Sequence, residues 1–525
     1  MRKSNINKVS KIYFMLFILC VVSSYSYPQK QGDTYRLNIN NINMPMDNKG
    51  VLAYVNIPPD GMLGRFAGHG FLYAGGFFLS GYHNDTLFAN AVAPSNLEED
   101  YVPGTVESGP NDPRAQLYVV NVNDPPFGQS WQDWIDAVAL GADFYDGNGD
   151  GIYNPVDLNN NGQWDPDEDK PLILGDETVW CVYNDGVPAN QRWWNTTGPL
   201  GIEIRQIVYA FEQPGIGGNF LIIEYKIRNT GLASSSLDSV YFGIWSDPDI
   251  GNPINDMAGC DIGLQSPFAY SDSLDYEYGN NPPSFFTPLL LNSDGINMYS
   301  MVNPINSDPI IGDAQSALQA RNYMLGLMRD GSEIDPCTFQ YGVIRGNVDC
   351  DTLNKRFWFS GDPVINIGWI FNADLDVRTL GNIGPFNVPI NSDFKIITAY
   401  AVGQGSTALE SVTAGRDVVN YIRNNILNSA DDRKPAIVNA FNLGQNYPNP
   451  FNPSTTIRYS IKKSGNVTLK IFDVLGRNVK TILNGFKDAG GYRIEFNAEK
   501  LSSGVYYYQM REGNNVLTKK MMVLK

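Results

Sequence analysis

Between residues 443 and 525, apolar stretches recur about every ten residues: Thr455 to Ile461, Val467 to Phe472, Val479 to Leu483, Tyr492 to Phe496, Gly504 to Met510 and Val516 to Leu524. Turn-forming groups separate most of them, among them Lys463-Ser464-Gly465, Leu475-Gly476-Arg477, Asp488-Ala489-Gly490-Gly491 and Glu512-Gly513-Asn514. Short strands with such regular punctuation predict an antiparallel sandwich. Upstream, Ile202 to Phe211, Phe220 to Arg228 and Ser239 to Trp245 broadly alternate apolar and polar residues, with Asn229-Thr230-Gly231 as a turn, and predict the core of a larger sandwich. Lys395 to Gly403 reads as a further strand, and Gly68 to Phe78 as paired strands whose glycines permit close backbone approach. Two stretches instead carry a helical period. Trp131, Trp134, Ile135 and Val138 form one stripe within 130–140; Leu409, Val412, Val418, Val419, Ile422 and Ile426 form another within 406–428. The fold class predicted is mainly β: a large sandwich-rich body with a few short helices, followed by a small C-terminal β-sandwich.

Composition narrows the function classes. A hydrophobic fraction of 43% and an aromatic fraction of 12% are ample for sizeable cores, which excludes a globally disordered chain. Only 18% of residues are charged, which disfavours a coiled coil, and the formal net charge of -17 is unsuited to nucleic acid. The charge is uneven. Residues 1–26 hold four basic residues and no acidic ones, 27–440 carry a net charge of -29, and 441–525 carry +8. The first piece reads as a signal peptide over 1–26: Arg2, Lys3, Lys8 and Lys11 precede the apolar run Ile12 to Val22, and Ser24-Tyr25-Ser26 offers small residues for cleavage. Eleven apolar residues rise only about 16 Å as a helix, too short for a span, and no other run is long enough to cross a membrane. Four cysteines remain after Cys20, and of their three pairings Cys337 with Cys350 is the first choice because it closes a short loop.

The C-terminal residues carry a family resemblance. QNYPNPFNPSTTIRYSI, then VTLKIFDVLGR at Val467 to Arg477, then AGGYRIEFNAEKLSSGVYYYQM and the final TKKMMVLK resemble the type A sorting domain of type IX (Por) secretion cargo over 443–525. The resemblance implies an immunoglobulin-like sandwich recognised by the outer-membrane secretion machinery. It also implies removal by a sortase-like peptidase, often with exchange for a lipopolysaccharide anchor, and an extracellular or outer-membrane surface address after Sec export to the periplasm. The lead-in over 446–453 has three prolines and is expected to place Tyr447 and Phe451 against the first strand. Residues 429–442 form a polar linker from the body, 27–428.

The strongest chemical signal in the body lies at 146–168. Asp146, Asn148 and Asp150 occupy positions 1, 3 and 5 of a loop with Gly151 at position 6, the Ile152 carbonyl at 7, Asn154 at 9 and Asp157 at 12. Asp157 then opens a second loop with Asn159, Asn161, Gly162, Gln163, Asp165 and Glu168. Alternating carboxylates and amides put successive oxygens on one side of a tight turn, which is what calcium asks of its ligands. Pro155 and Pro166 argue against flanking EF-hand helices, and the loops resemble the helix-poor calcium repeats of thrombospondin type 3 and dockerin-like modules. The expected cofactor is structural Ca2+.

A second group of hard oxygens, Asp247, Asp249, Asp256 and Asp261, is expected either to hold a metal or, as paired carboxylates, to do acid/base work. His69 and His83 lie among glycines and aromatics, where packing or surface roles are the commoner outcome. GxSxG, HExxH, a P-loop and GxGxxG after a strand are all absent, and no catalytic residue is assigned. The strings GDETVWCVYND at 175–185, WSDPDIG at 245–251, GCD at 259–261, GDPVINIGW at 361–369 and GPF at 384–386, with Gly141-Ala142-Asp143 and Asn148 to Pro155, resemble bodies attached to other type IX cargo, a resemblance that carries no activity with it. The expected role is binding, adhesion or structure, with glycans or matrix proteins as partners; the alternative is an extracellular glycan hydrolase built on paired carboxylates.

Overall fold

The computed structural model describes residues 32–92, 100–194, 197–271 and 274–427, and in the C-terminal part 442–443, 446, 451–461, 465–487, 490–513 and 515–524. The signal peptide, nearly all of the linker and Tyr447 lie outside the described residues.

Two large antiparallel sheets build the body. In one, the long strand His69–His83 is paired on one side with Ser236–Pro248, which in turn pairs with Thr379–Pro389. In the other, Glu177–Asn184, Ile202–Ala210, Phe220–Asn229 and Asp393–Gly403 lie side by side in full register. The sheets pack face to face. Phe77 of the first lies 5.4 Å, ring to ring, from Tyr225 of the second and stacks on Phe242 of its own sheet at 4.8 Å. Leu221, Ile223, Ile396 and Tyr400 complete this layer with no more than trace exposure.

The outer faces are covered as well. The helix Ala408–Tyr421 lies on Asp393–Gly403 and Ser284–Phe286 through Val412, Val418 and Val419, and its Thr407 side chain caps the Glu410 N–H. The helix Gln129–Ala139 buries Trp131, Trp134 and Ala137, and the Trp134 indole donates to the Asp143 carbonyl at 3.1 Å. A third helix, Ala317–Met324, covers the first sheet; the sequence pattern did not announce it, because it is short and buries Arg321 and Asn322 among apolar neighbours. These covers explain one difference from expectation. Glu177–Asn184 is buried at every position and Phe220–Asn229 at eight of ten, so the central strands have two apolar faces rather than one. Two residues of the helical stripes, Ile135 and Leu409, face solvent, so those stripes are narrower than drawn. Past the turn at Gly68, the residues to Phe78 belong to one continuous strand, His69–His83, rather than a pair; its hairpin partner is Thr86–Val92, joined by Asn84 and Asp85, both at positive φ as a two-residue turn requires.

Cys337 and Cys350 form a disulfide, while Cys181 and Cys260 are free and buried.

The C-terminal region contains a three-stranded and a four-stranded antiparallel sheet around a separate core of Leu443, Ile457, Val467, Leu469, Phe496, Tyr508, Met510 and Val523. Its six main strands fall where the sequence pattern placed them: Ser454–Ile461, Gly465–Phe472, Asn478–Lys487, Gly490–Asn497, Gly504–Glu512 and Asn515–Val523. Phe451 is buried, but against the last strand: it bridges Val523 in parallel, with its N–H donating to the Met522 carbonyl at 3.0 Å. Among the described residues no helix is long and apolar enough to cross a membrane.

Candidate functional site

The segment 146–169 leaves the body through a short stem in which Phe144–Tyr145 pairs with Lys170–Pro171. Trp164 packs edge-on to Tyr145 at 5.5 Å, and the Lys170 ammonium sits 3.7 Å from the Trp164 ring centre. Within this frame the two loops repeat one geometry. Asp146 accepts from the N–H groups of Gly149 at 2.7 Å and Gly151 at 2.8 Å. Asp157 accepts from those of Asn161 at 3.1 Å and Gly162 at 2.7 Å. Gly151 and Gly162 have φ of +77° and +73°, the left-handed backbone the sixth position requires. The third and fifth positions bend back in the same way. Asn148 accepts from Asp150 and Asp150 from Ile152; Asn159 accepts from Asn161 and Asn161 from Gln163.

The ends of the loops are tied from one buried pair. Glu168 accepts from the N–H groups of Leu158 at 2.7 Å and Asp165 at 2.8 Å. Asp169 accepts from Gly147 at 3.0 Å and Asn154 at 2.8 Å. Glu168 and Asp169 are each only 2% exposed. Asp169 was not singled out in the sequence: it lies one place beyond the ligand spacing, and only the fold shows that it clasps the first loop. Asp165 accepts from the side-chain amides of both Asn159 and Asn161 at 2.8 Å. The Ile152 side chain is 66% exposed, whereas Tyr153 beside it is buried and donates to the Trp131 carbonyl. Although each expected ligand set includes three carboxylates, the loop carboxylates do not gather three at a time within 4.8 Å.

A second acidic group lies at the end of Ser236–Pro248. Asp247 and Asp249 come together with Asp376, each offering an oxygen within 4.8 Å of the others. Arg378 stands against them, with Nη1 2.8 Å from Asp247 Oδ1 and also on Asp376, and Nε 4.0 Å from Asp313. Asp256 is adjacent and fully buried, and accepts from the Ile250 N–H at 3.1 Å. Asp261 is elsewhere: it accepts from Arg416 Nε at 2.9 Å and from the Leu264 N–H. The fold therefore replaces Asp261 with Asp376, a residue no local spacing could connect to 247–249.

Burial raises Asp247 and Asp256 well above the usual carboxylate range. Burial also lifts Asp249 to about 6, helped by the Asp376 charge and opposed by Arg378. Tyr73 is pushed up to about 12 by burial, by its hydrogen bond with Tyr54 and by the fields of Asp247 and Asp249.

The histidines stand apart from both groups. His69 Nδ1 is 3.9 Å from Glu277, its side chain half-exposed, and His83 is partly buried beside Phe88. A polar cleft of about 470 Å³ opens at the sheet edge, lined by Asp33, Asp47, Asn48, Lys49, Asp112 and Gln116 among others.

No curated protein matches the chain. A solved polysaccharide lyase aligns over 86% of this chain at 9% identity and a TM-score of 0.18, and the chain spans 47% of its length; a likeness this slight carries no argument. The tail is different. Residues 445–524 match the family described as the secretion system C-terminal sorting domain, over the strands and the Phe451 lead-in described above. The protein is cargo of the type IX secretion system, exported to the cell surface or the extracellular space, and residues 445–524 are its sorting domain.

Proposed function

We propose that the body is a calcium-stabilised extracellular binding scaffold, with Ca2+ held as a structural staple in the loops at 146–168 and glycans or matrix proteins as its ligands. The observation that carries this reading is the repeated loop geometry, in which Asp146 and Asp157 each hold the N–H of the glycine five residues on. Oxygens at positions 1, 3 and 5 of such a turn face one centre, and at extracellular calcium an affinity of about 10⁻⁴–10⁻³ M suffices to fill it. The ligand surface is assigned to the polar cleft beside Asp47 and Asp112, whose donors and acceptors suit a polyhydroxylated partner. The sorting domain is read by the secretion machinery, cut by a sortase-like peptidase and exchanged for a lipopolysaccharide anchor.

One observation favours a second reading, glycan hydrolysis. Asp249, lifted to about 6, lies in the range of a general acid beside Asp247. The full chain incubated with insoluble polysaccharides and matrix proteins, with calcium or with chelator, separates the two. Depletion of protein without soluble products, reversed by chelator, is the expected result; released oligosaccharides would overturn it in favour of hydrolysis.

A further inference from the structure

Asp247, Asp249 and Asp376 come from segments far apart in the chain: the end of Ser236–Pro248 with the turn after it, and the approach to Thr379–Pro389. Their three carboxylate oxygens lie within 4.8 Å of one another, with Asp247 buried and the other two half-buried. A calcium ion takes oxygens at about 2.3–2.6 Å, so ligands on opposite sides of it are separated by about 5 Å, and this spacing fits around one ion.

The positive charge facing the group is small. Arg378 is the one cation among the described residues that ion-pairs with it, reaching Asp247 and Asp376 through Nη1. No donor among the described residues reaches the Asp249 carboxylate. A separate observation points the same way. Asp256 has no exposed surface; its Oδ2 accepts from Ile250, but its Oδ1 has no hydrogen-bond donor. The charges acting on it are those of Asp249, Asp376 and Asp247, which places it against the same group. Four carboxylates against one guanidinium, with a buried oxygen left without a donor, is a costly arrangement that either a bound proton or a further cation relieves.

We propose that Asp247, Asp249 and Asp376 bind a divalent cation of the hard-oxygen class, Ca2+ foremost, with Asp256 as a fourth anionic group behind them. This site is independent of the loops at 146–168. It ties the end of a central strand to the approach of its sheet neighbour, so its role is to fasten that end of the body.

Calcium bound per chain, counted by equilibrium dialysis and atomic emission on the full protein, tests the assignment. The Asp249→Asn/Asp376→Asn variant is expected to bind one ion fewer than the wild type, and the Asp146→Asn/Asp157→Asn variant to keep that ion. Asp376→Asn alone, at a partly buried position, is expected to weaken that ion by about tenfold or more with an unchanged far-UV spectrum. Full stoichiometry in the Asp249/Asp376 variant, or no ion in the loop variant, would overturn the proposal. A wild type that binds a single ion, lost only in the Asp249/Asp376 variant, would sink the loop reading and leave this one standing.

Discussion

Asp146 and Asp157 stand eleven places apart and do the same thing: the first receives the Gly151 N–H at 2.8 Å, the second the Gly162 N–H at 2.7 Å. Asp157 also falls at position 12 of the first loop, so in the proposed calcium sites one carboxylate serves both. Loss of Asp157 should therefore cost more than loss of Asp146. In Asp157→Ala two exposed N–H groups lose their acceptor, worth about 1–2 kcal/mol together, and the calcium response of both loops should fall. Thermal unfolding of the two alanine variants, with and without calcium, checks the order.

Asp169 holds the first loop at Gly147 and Asn154 from a buried position. Asp169→Ala leaves the Gly147 and Asn154 N–H groups without that acceptor, at a cost of about 2–4 kcal/mol. Asp169→Asn keeps one acceptor oxygen and should recover part of it. Protease cutting within 146–169 should rise in the order wild type, Asn, Ala; equal cutting would remove the clasp from the account.

Glu177 gives the body a pH dependence. Burial lifts its carboxyl from 4.5 to about 6, against hydrogen bonds from Tyr35 and Asn121, and the Asp124 charge adds to the rise. A raised acid favours the folded state when protonated. Its contribution is thus fully present below about pH 4.5 and is lost as pH climbs through 6, a difference of about 2 kcal/mol. Glu177→Gln should be more stable than the wild type at pH 7.5 and no more stable at pH 4. Parallel curves at both pH values would refute the assignment.

The Cys337–Cys350 bond closes a short loop, and reducing it should cost about 3 kcal/mol. Burial raises the thiols of Cys181 and Cys260 well above their ordinary range. Of the four cysteines after Cys20, none should label with a thiol reagent in the native protein, and two should label after unfolding without reductant.

Much of this was written locally. The tail strands were legible because each is short, alternates, and ends on a Gly or Asn turn. The loop ligands were legible because calcium-type spacing is a property of consecutive residues. What the sequence withheld is long-range. Whether Glu177–Asn184 has one apolar face or two depends on what lies over it. That Asp376 joins Asp247 and Asp249 while Asp261 pairs with Arg416 depends on strand pairing across more than a hundred residues. Ile135 and Leu409 lie at the borders of their stripes, where periodicity does not decide burial. Ala317–Met324 hides behind polar residues whose partners come from elsewhere: the Arg321 guanidinium sits 4.4 Å from the Tyr241 ring centre.

The central claim is that calcium in the 146–168 loops fastens the body. Its most direct test is the melting temperature of the full chain against calcium concentration, from chelator to 10 mM, for the wild type and for Asp146→Asn/Asp157→Asn. At a hundredfold excess over Kd one site contributes about 2.7 kcal/mol. The account predicts a wild-type melting temperature that climbs by several degrees with the logarithm of calcium, and a smaller climb in the variant. Two curves that rise equally, or a wild type indifferent to chelator, would contradict it.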